Sequence, residues 1–544
     1  MELARGALVS GRSGEAIQIC DRVLIRQQQN AEALHIKGLA LRAQNDLESA
    51  ADLIARAAKA APKRADIHYN LGITLTGAGQ LEAAESAYRC AIQLDDGNAN
   101  YHNNLGSLLS RLGRPEEAIE CFATALSIDE THVQALSNKG SALLDLDCPE
   151  EAAAVLERAI KLAPEYADGF SNLGNAYVAM GDSSRGIETY GAAIKLRPGA
   201  AVFHYNLGNA LLDTGQIQSA MASYRKSLAL NPEQPHLRSN LLYCSLYDVE
   251  ANLQSLKQMH KTWAMGHVKQ PTESLHSHTF EPDKRLRLGF ISADFGQHPI
   301  GYFTVLPIEN LDRGQTEIFC YSERANSDHM TKRIKAASDK WIDCRNTGDA
   351  ELAACIRDDG IDVLFDISGL SRGNRLGVFA LKPAPLQVNW TIGYPSTTGI
   401  TAMDAILSDS RHIPPGDETE FEESLAFLPN GHFCFDPPAD APDVQPLPAK
   451  ANGFVTFGSF NQPRKTNSHV LDAWARILAE VPHSRLLLAY AGMDDSANRK
   501  RIEDNLGECA TRVEILGRVN RHEVLARYNR IDIGLDTFPY SGGL

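Results

Sequence analysis

The sequence predicts an all-α solenoid of helical repeats followed by an α/β region made of two Rossmann-like lobes. The solenoid is predicted by a glycine that recurs every 34 residues, at Gly38, Gly72, Gly106, Gly140, Gly174 and Gly208. The α/β region is predicted by short apolar runs that alternate with helical stretches from Leu286 onward, a rhythm typical of βαβ units. A second series of strand, loop and helix starts at residue 454, which indicates two lobes.

The composition excludes several classes of protein. With 544 residues the chain is too long for one hydrophobic core, and about 150 residues per domain suggests three or four units. The net charge of −15 argues against a nucleic-acid partner held by general phosphate attraction. No signal peptide and no membrane-spanning run is visible, so we expect a cytoplasmic protein without a membrane partner. The 10 cysteines include no C-x-x-C pair, so neither a zinc site nor a disulfide framework is indicated.

The helical units resemble the tetratricopeptide repeat. Two ladders of mostly alanine follow the same step of 34 residues, and small residues at fixed positions let the two helices of a unit approach closely. Proline ends the second helix of several units, at Pro62, Pro164, Pro198 and Pro232. The predicted units are 31–64, 65–98, 99–132, 133–166, 167–200 and 201–234, and residues 1–30 are interpreted as the end of an earlier unit.

A polar ladder follows the same period. Asparagine recurs at Asn70, Asn104, Asn138, Asn172, Asn206 and Asn240. On the first helix of a unit this position can face the inner groove, where an amide offers a donor and an acceptor to an extended peptide. The alternative is that the amides cap or bridge neighbouring helices of the solenoid. We favour a groove that binds protein or peptide acceptors, and the repeats also suggest a homodimer.

These patterns divide the chain into four parts. The predicted solenoid covers residues 1–247, and capping helices with a polar, proline-containing linker cover 248–283. Residues 284–450 form the predicted first lobe, in which the proline-rich, acidic stretch 411–450 is interpreted as a connection between the lobes. Residues 451–544 form the predicted second lobe.

The stretch from Leu286 to Phe303 presents an imidazole at the opening of the first lobe. An apolar strand is followed by turn residues that contain His298, and a helix is expected from Tyr302 to Ile308. Ligands of open α/β sheets bind beyond the carboxyl ends of the strands, which is where this order places His298. The alternative is an ordinary solvated histidine in a loop.

Two glycine-rich loops flank a further strand of the first lobe. Residues 369–375 form one loop, and residues 392–399 form the other, which contains Gly393, Tyr394 and Pro395. Glycine lets backbone amides approach a phosphate or a sugar, and it also simply makes turns. We take Gly393, Tyr394 and Pro395 as candidate donor-binding residues.

The second lobe opens with a strand at 454–461 followed by a cationic turn. Lys465 follows this strand, and a helix is expected over 468–480 with Ser468 as its cap. Three further strands are expected in 486–492, 512–519 and 531–538. A lysine at this place can meet a departing diphosphate, although a solvated lysine is the simpler interpretation. Two Rossmann-like lobes in tandem describe the GT-B type of glycosyltransferase, which needs no metal or other cofactor because cations and helix N-termini stabilise the leaving phosphate.

Four stretches carry a family resemblance: SADFGQHPIGYF, GNRLGVFALKPAPLQVNWTIGYPSTTG, GSFNQPRKTN and LDTFPYSGGL. Together with the repeats, they resemble the O-linked N-acetylglucosamine transferase and Spindly-like family of inverting enzymes, which modify Ser and Thr hydroxyls of intracellular proteins. The resemblance implies that His298 lies beside the reacting sugar and that Lys465 contacts the nucleotide diphosphate. It further implies that Gln462 and Arg527 belong to the donor site.

The chain departs from the family pattern in its second lobe. Val524 stands where the animal N-acetylglucosamine enzyme has a histidine, and the nearest imidazole is His522, which we keep as a donor-site candidate. The turn Ser-Gly-Gly-Leu is closer to bacterial Spindly-like sequences, which leaves the donor base and sugar open. The last strand signal is followed by no helix, so we expect an incomplete second lobe that binds nucleotide-sugar weakly.

The leading hypothesis is a protein O-glycosyltransferase that transfers N-acetylglucosamine from UDP-N-acetylglucosamine to Ser or Thr. One alternative is a Spindly-like O-fucosyltransferase that uses GDP-fucose. Another is a non-catalytic scaffold that binds proteins through its repeats. A transferase acting on asparagine amides is disfavoured because relatives of that kind lack a solenoid.

Overall fold

The computed structural model describes residues 1–232, 235–267, 284–324, 326–371, 373–390, 396–438 and 440–541. Its contacts divide the chain into two compact units, Met1–Pro198 and Gly199–Leu544. This division lies inside the predicted solenoid, because the last predicted repeat belongs to the second unit. The predicted linker 268–283 and the candidate residues Gly393, Tyr394 and Pro395 lie outside the described residues.

The first unit consists of helices that pack in consecutive antiparallel pairs. They are α1 (Glu2–Val9), α2 (Ser13–Arg26), α3 (Ala31–Ala43), α4 (Leu47–Ala60), α5 (Ala65–Gly77), α6 (Leu81–Leu94), α7 (Ala99–Arg111), α8 (Pro115–Ile128), α9 (Val133–Asp145), α10 (Pro149–Leu162), α11 (Ala167–Ala179) and α12 (Ser183–Leu196). The predicted helical repeats are confirmed, and residues 1–30 form a helix pair of their own.

The glycine ladder marks the closest approach of the two helices within a repeat. A Cβ added at Gly72 would lie 2.6 Å from the ring of Tyr88, and one added at Gly106 would lie 2.7 Å from the ring of Phe122. No real Cβ packs at such a distance, so only glycine leaves room for the facing side chain.

The second unit begins with four helices, and a parallel sheet follows them. The helices are α13 (Ala201–Asp213), α14 (Ile217–Leu230), α15 (Pro235–Ser245) and α16 (Leu253–His267). Leu256 and Ala264 of α16 are buried in one apolar cluster with Leu364 and Phe379 of the following lobe. The predicted capping helices therefore also complete the core of the first lobe. Among the described residues, no helix has both the length and the apolar character needed to cross a lipid bilayer.

The first lobe contains an all-parallel sheet flanked by helices. In the described residues its strands are β1 (Leu286–Ser292), β2 (Thr316–Ser322), β3 (Lys340–Asp343), β4 (Val363–Asp366), β5 (Leu386–Asn389), β6 (Ala405–Ser408) and β7 (Ser424–Phe427), in the order β3-β2-β1-β4-β5-β6-β7. Its helices are α17 (Pro299–Asn310), α18 (His329–Ala336), α19 (Asp349–Asp358) and α20 (Leu376–Ala380). The interpretation of 411–450 as a connection was partly wrong, because β7 pairs with β6 and extends the sheet.

The second lobe contains a smaller parallel sheet. A short helix, α21 (Ala449–Asn452), precedes it, and the elements are β8 (Thr456–Ser459), α22 (Ser468–Glu480), β9 (Arg485–Ala489), α23 (Ser496–Leu506), β10 (Val513–Leu516), α24 (Arg521–Tyr528) and β11 (Ile533–Gly534), with strand order β10-β9-β8-β11. The cap of α22 is Asn467 rather than Ser468, because the Asn467 side chain accepts a hydrogen bond of 3.0 Å from the Val470 amide. The predicted succession of a helical solenoid and an α/β region with two lobes is confirmed.

Candidate active site

The candidate residues follow the carboxyl ends of strands in both sheets. β1 ends at Ser292 and the chain reaches His298 before α17 begins, whereas β8 ends at Ser459 and is followed by the single turn Pro463–Lys465. In parallel α/β sheets the backbone beyond these ends forms the ligand crevice.

His298 is the N-cap of α17, which begins three residues earlier than the sequence predicted. Its Nδ1 accepts a hydrogen bond of 3.3 Å from the Ile300 amide and lies 3.8 Å from Oδ1 of Asp294. Burial lowers the pKa of His298, the charge of Arg324 lowers it further, and Asp294 opposes both. The ring is therefore neutral at neutral pH, and because Nδ1 accepts, the ring proton belongs on Nε2. This arrangement suits an imidazole that donates from Nε2 to a substrate oxygen.

A set of hydrogen bonds fixes the loop that carries His298. Asp294 accepts a bond of 3.1 Å from the Ser371 hydroxyl, which ties this loop to the glycine-rich loop after β4. Asp328 accepts from the Gln297 amide at 2.7 Å and pairs with Arg324 at 2.7 Å. Sequence reasoning missed these partners, because they are brought together only by the order of the strands in the sheet.

Asp366, at the carboxyl end of β4, is buried beneath this loop cluster. Its Oδ1 accepts from the amides of Ser368 and Gly369 at 3.0 and 3.1 Å, and its Oδ2 accepts from the Asn389 amide at 2.9 Å. Burial raises the pKa of Asp366 to about 6, although these hydrogen bonds oppose the rise. The carboxyl group therefore fixes the backbone turn after β4.

Lys465 is a half-buried cation at the carboxyl edge of the second sheet. Its Nζ donates a hydrogen bond of 2.6 Å to the carbonyl of Ser541 and lies 4.4 Å from the ring centroid of Tyr540. Burial lowers the pKa of Lys465 to about 8, Arg464 lowers it further, and Asp536 opposes them. An ammonium that has lost much of its water gains more from an incoming anion than a solvated one does.

Gln462 and Arg464 flank this lysine. The Gln462 amide donates to the Tyr490 hydroxyl at 3.1 Å, and its oxygen accepts from Arg464, so both ends of the side chain are engaged within the protein. The Arg464 guanidinium lies 5.5 and 5.4 Å from the ring centroids of Tyr243 and Tyr247 on and after α15. Sequence reasoning missed Arg464, although its place beside Lys465 in the F-N-Q-x-x-K stretch was a signal.

Arg527 and His522 lie on α24 in different environments. The Arg527 side chain is half-buried and donates to the Gly517 carbonyl at 3.0 Å, directly after β10. His522 lies in the first turn of the helix and is exposed. Across the described part of the chain, His298, Lys465 and Arg527 each bond to separate partners rather than to one another.

One stacking contact joins the two lobes next to the candidate residues. The Arg521 guanidinium carbon lies 3.9 Å from the ring centroid of Tyr302. Tyr302 is one helical turn beyond His298 on α17, and Arg521 begins α24, which carries Arg527. The contact therefore brings the helix capped by His298 together with the helix that bears Arg527.

The asparagine ladder makes hydrogen bonds between consecutive repeats. The side-chain amides of Asn104 and Asn240 donate to tyrosine hydroxyls, Tyr69 at 2.9 Å and Tyr205 at 3.2 Å. The amide of Asn138 donates to Asn103 Oδ1 at 2.9 Å and to Ser107 Oγ at 3.0 Å. The amide of Asn172 donates to Ser137 Oγ at 3.0 Å. Asn70 donates to the Asp66 carbonyl at 2.8 Å within its own helix. All six side chains, Asn206 included, are half-buried. Bridging between helices, the alternative interpretation, is therefore part of their role, and binding of an acceptor stays a prediction.

Among the described residues, no cluster of three or more His, Cys, Asp or Glu side chains is arranged so that it could hold a metal ion. The expectation that no metal is required stays a prediction.

Comparison with known proteins identifies the repeats and the first lobe. The model of glycosyl transferase family 41 matches residues 246–444, and tetratricopeptide repeat models match residues 1–65, 63–131, 97–165 and 171–235. The structure of a Thermobaculum terrenum O-GlcNAc transferase mutant is similar, with 33% identity, a TM-score of 0.68, and coverage of 75% of this chain and 79% of that chain. The chain belongs to glycosyl transferase family 41.

Curated proteins similar to this family 41 chain carry related names. A tomato (Solanum lycopersicum) protein named probable UDP-N-acetylglucosamine–peptide N-acetylglucosaminyltransferase SPINDLY is 34% identical over 320 residues, which cover 57% of this chain and 34% of that protein. A Caenorhabditis elegans UDP-N-acetylglucosamine–peptide N-acetylglucosaminyltransferase is 35% identical over 169 residues, which cover 30% of this chain and 15% of that protein. The chain thus spans about a third or less of the length of these relatives.

Proposed function

We propose that the chain acts as a protein O-glycosyltransferase that transfers N-acetylglucosamine from UDP-N-acetylglucosamine to Ser or Thr hydroxyls with inversion. The observation that carries the proposal is the half-buried Lys465 beyond β8, whose Nζ donates to a carbonyl oxygen and lies over an aromatic ring. The names of the family 41 relatives support this donor and this class of acceptor.

The proposed reaction is a single displacement at the anomeric carbon. The acceptor hydroxyl oxygen forms a bond to that carbon while the bond to the diphosphate oxygen breaks. The diphosphate leaves with the electron pair of the broken bond and takes up the hydroxyl proton. The Lys465 ammonium stabilises the charge that develops on the diphosphate. Arg527 supplies a second cation near the same edge of the sheet once it releases the Gly517 carbonyl.

His298 positions the acceptor in this scheme. Its neutral ring holds a proton on Nε2, which can donate to a hydroxyl or sugar oxygen, while Nδ1 is held by the Ile300 amide. Orientation of the reacting oxygen is thus favoured over removal of its proton, and fixing the attacking group contributes to catalysis by itself.

A second candidate donor is GDP-fucose. Val524 stands on the donor-site helix where the animal N-acetylglucosamine enzyme has a histidine, and this departure is the observation that keeps the alternative. The two donors differ in base and sugar, so direct competition between UDP and GDP separates them.

The test measures transfer from labelled UDP-N-acetylglucosamine and GDP-fucose to lysate proteins by the wild type, Lys465→Ala and Lys450→Ala. Lys450 is exposed on α21, directly before the second sheet, and serves as the control. Because the donor is expected to bind weakly, we expect slow transfer from the UDP sugar, a loss of about 100-fold or more in Lys465→Ala, and unchanged transfer in Lys450→Ala. Transfer from GDP-fucose alone would overturn the donor, near-normal transfer by Lys465→Ala would overturn the site, and no transfer by the wild type would favour the scaffold.

A further inference from the structure

Arg501 of α23 is a half-buried cation that bonds to the turn around Lys465. Its guanidinium donates to the carbonyl of Thr466 through NH1 and to the carbonyl of Pro463 through NH2 at 3.2 Å. NH2 also donates to Asn498 Oδ1 at 3.1 Å. The planar guanidinium thus bonds to the carbonyls of Pro463 and Thr466, which lie on either side of Lys465 in the chain.

The turn itself is a single 3₁₀ turn with two internal backbone hydrogen bonds. The Lys465 amide donates to the Gln462 carbonyl at 2.9 Å, and the Thr466 amide donates to the Pro463 carbonyl at 3.0 Å. Short 3₁₀ turns of this kind are weak by themselves. The bonds from Arg501 to the Pro463 and Thr466 carbonyls therefore add to the backbone bonds that define the turn.

The same arginine contacts the last tetratricopeptide repeat. A Cβ added at Gly215, between α13 and α14, would lie 3.2 Å from Arg501 NH2 and 3.3 Å from the Pro463 carbonyl oxygen. The Asn498 amide donates to the Asp213 carbonyl at 3.4 Å, and Arg464 NH1 lies 4.0 Å from Asp213 Oδ1. A loop of the repeat thus lies directly against the turn and its arginine.

Burial makes this arginine costly. It lowers the pKa of Arg501 to about 10, and the guanidinium donates to uncharged oxygens of Thr466, Pro463 and Asn498. Apolar side chains often replace buried ions without loss of stability. Packing alone therefore does not explain a guanidinium at this position, whereas hydrogen bonding to two backbone carbonyls does.

We propose that Arg501 is a positioning residue that orients Lys465 and couples it to the loop of the last repeat. The importance of Lys465 for a diphosphate rests on the proposed function, but the positioning itself does not. Through the contact between Arg501 and this loop, displacement of the α13–α14 loop would move Lys465, the cation that faces the donor.

The experiment measures the reactivity of Lys465 toward an amine-acylating reagent as a function of pH, with peptide mass spectrometry as the readout. Only the neutral amine reacts, so the midpoint of the profile reports the Lys465 pKa, which burial, Arg464 and Asp536 control. We expect the midpoint near pH 8 in the wild type and at least one pH unit higher in Arg501→Met, because a loosened turn exposes the amine. Each unit by which the pKa of Lys465 rises lowers the neutral fraction of its amine at pH 7 about tenfold. The exposed Lys500, on the same helix, gives the control Lys500→Met, which should leave the midpoint unchanged.

A second pair of variants covers the case in which Arg501→Met fails to fold. Gly215→Ala pushes a methyl group against Arg501, whereas Gly181→Ala introduces the same strain at the equivalent turn of the preceding repeat. Their φ angles are +71° and +85°, and a Cβ at Gly181 meets no atom within 4 Å. We expect a raised midpoint in Gly215→Ala alone.

A wild-type midpoint in folded Arg501→Met, or in Gly215→Ala when Arg501→Met does not fold, would overturn the positioning role. Because labelling needs no nucleotide-sugar, this outcome is separate from failure of the proposed function. If Lys465→Ala retained transfer while the midpoint still shifted in Arg501→Met, the positioning role would stand and the catalytic assignment would fall.

Discussion

Arg521 of the second lobe stacks on Tyr302 of the first, with 3.9 Å between the guanidinium carbon and the ring centroid. Arg521 is exposed, so the pair belongs to the weaker, solvent-accessible kind of cation–π contact. It holds α17 against α24 next to the candidate site.

We expect Arg521→Ala to weaken the contact between the lobes by about 0.5–1 kcal/mol, the usual size of an exposed cation–π pair. Hydrogen exchange of the amides in α17 and α24 should become faster. The exposed Arg518 gives the control Arg518→Ala, which should exchange like the wild type. Unchanged exchange in Arg521→Ala would mean that other contacts hold the lobes together.

Lys465 predicts a pH dependence of nucleotide binding. Its pKa of about 8 means that the cation is lost as the pH rises from 7 to 9. UDP binds the cationic form better, so affinity should fall through this range at constant ionic strength. Calorimetry at pH 7, 8 and 9 measures the fall, which should be reduced in Lys465→Arg because arginine stays charged. The same slope in both proteins would assign the pH dependence to another group.

Asp366 predicts a pH dependence of stability. Its folded pKa of about 6 lies above the unfolded value of about 3.9, so the protonated form favours folding. The stabilisation is complete below pH 4 and is lost as the pH rises through 6, a change of about 3 kcal/mol. Denaturant unfolding of Asp366→Asn should lack this part of the pH dependence, whereas a matched change at the exposed Asp358 should not alter it. Equal pH profiles of wild type and Asp366→Asn would contradict the prediction.

The asparagine ladder can be tested at one repeat. Asn138→Ala removes bonds to Asn103 and Ser107 and should lower the free energy of unfolding by about 1–2 kcal/mol. Ser107→Ala is the matched control, because it removes one of these bonds and leaves the Asn138 amide in place.

A role in acceptor binding predicts that Asn138→Ala reduces modification of long protein acceptors more than Ser107→Ala does, while short peptides are spared. The same change in both variants would assign the ladder to the solenoid alone. Modification rates of a protein and a short peptide acceptor, measured beside the unfolding curves, distinguish these outcomes.

The sequence predicted the repeats and the order of strands and helices well, because both depend on local periodicity. It missed β3, whose short stretch Lys340–Asp343 begins and ends with a charged residue, β6, which has only four residues, and β7, which lies within a proline-rich stretch. It placed His298 in a loop because a proline-led helix start at Pro299 is easily taken for a turn.

The candidate site was predicted only residue by residue. The pairing of Arg521 with Tyr302 and the grip of Arg501 on the Lys465 turn join residues far apart in the chain, and no periodic pattern signals such contacts. The asparagine ladder was recognised, but its bonds to the preceding repeat depend on how neighbouring helices stack. The folded chain shows the bridging bonds, and acceptor binding stays a prediction.

Each ladder glycine is matched by a bulky residue 16 positions later in the same repeat. Gly38 and Gly140 face Ile54 and Leu156, whereas Gly72, Gly106, Gly174 and Gly208 face Tyr88, Phe122, Tyr190 and Tyr224. Because the glycine and the bulky residue that faces it lie within one stretch of 34 residues, duplication or deletion of a whole repeat adds or removes both together. Arrays of this kind can thus change length by genetic recombination without a mismatch at their tightest contact, and drift of either partner is constrained by the other.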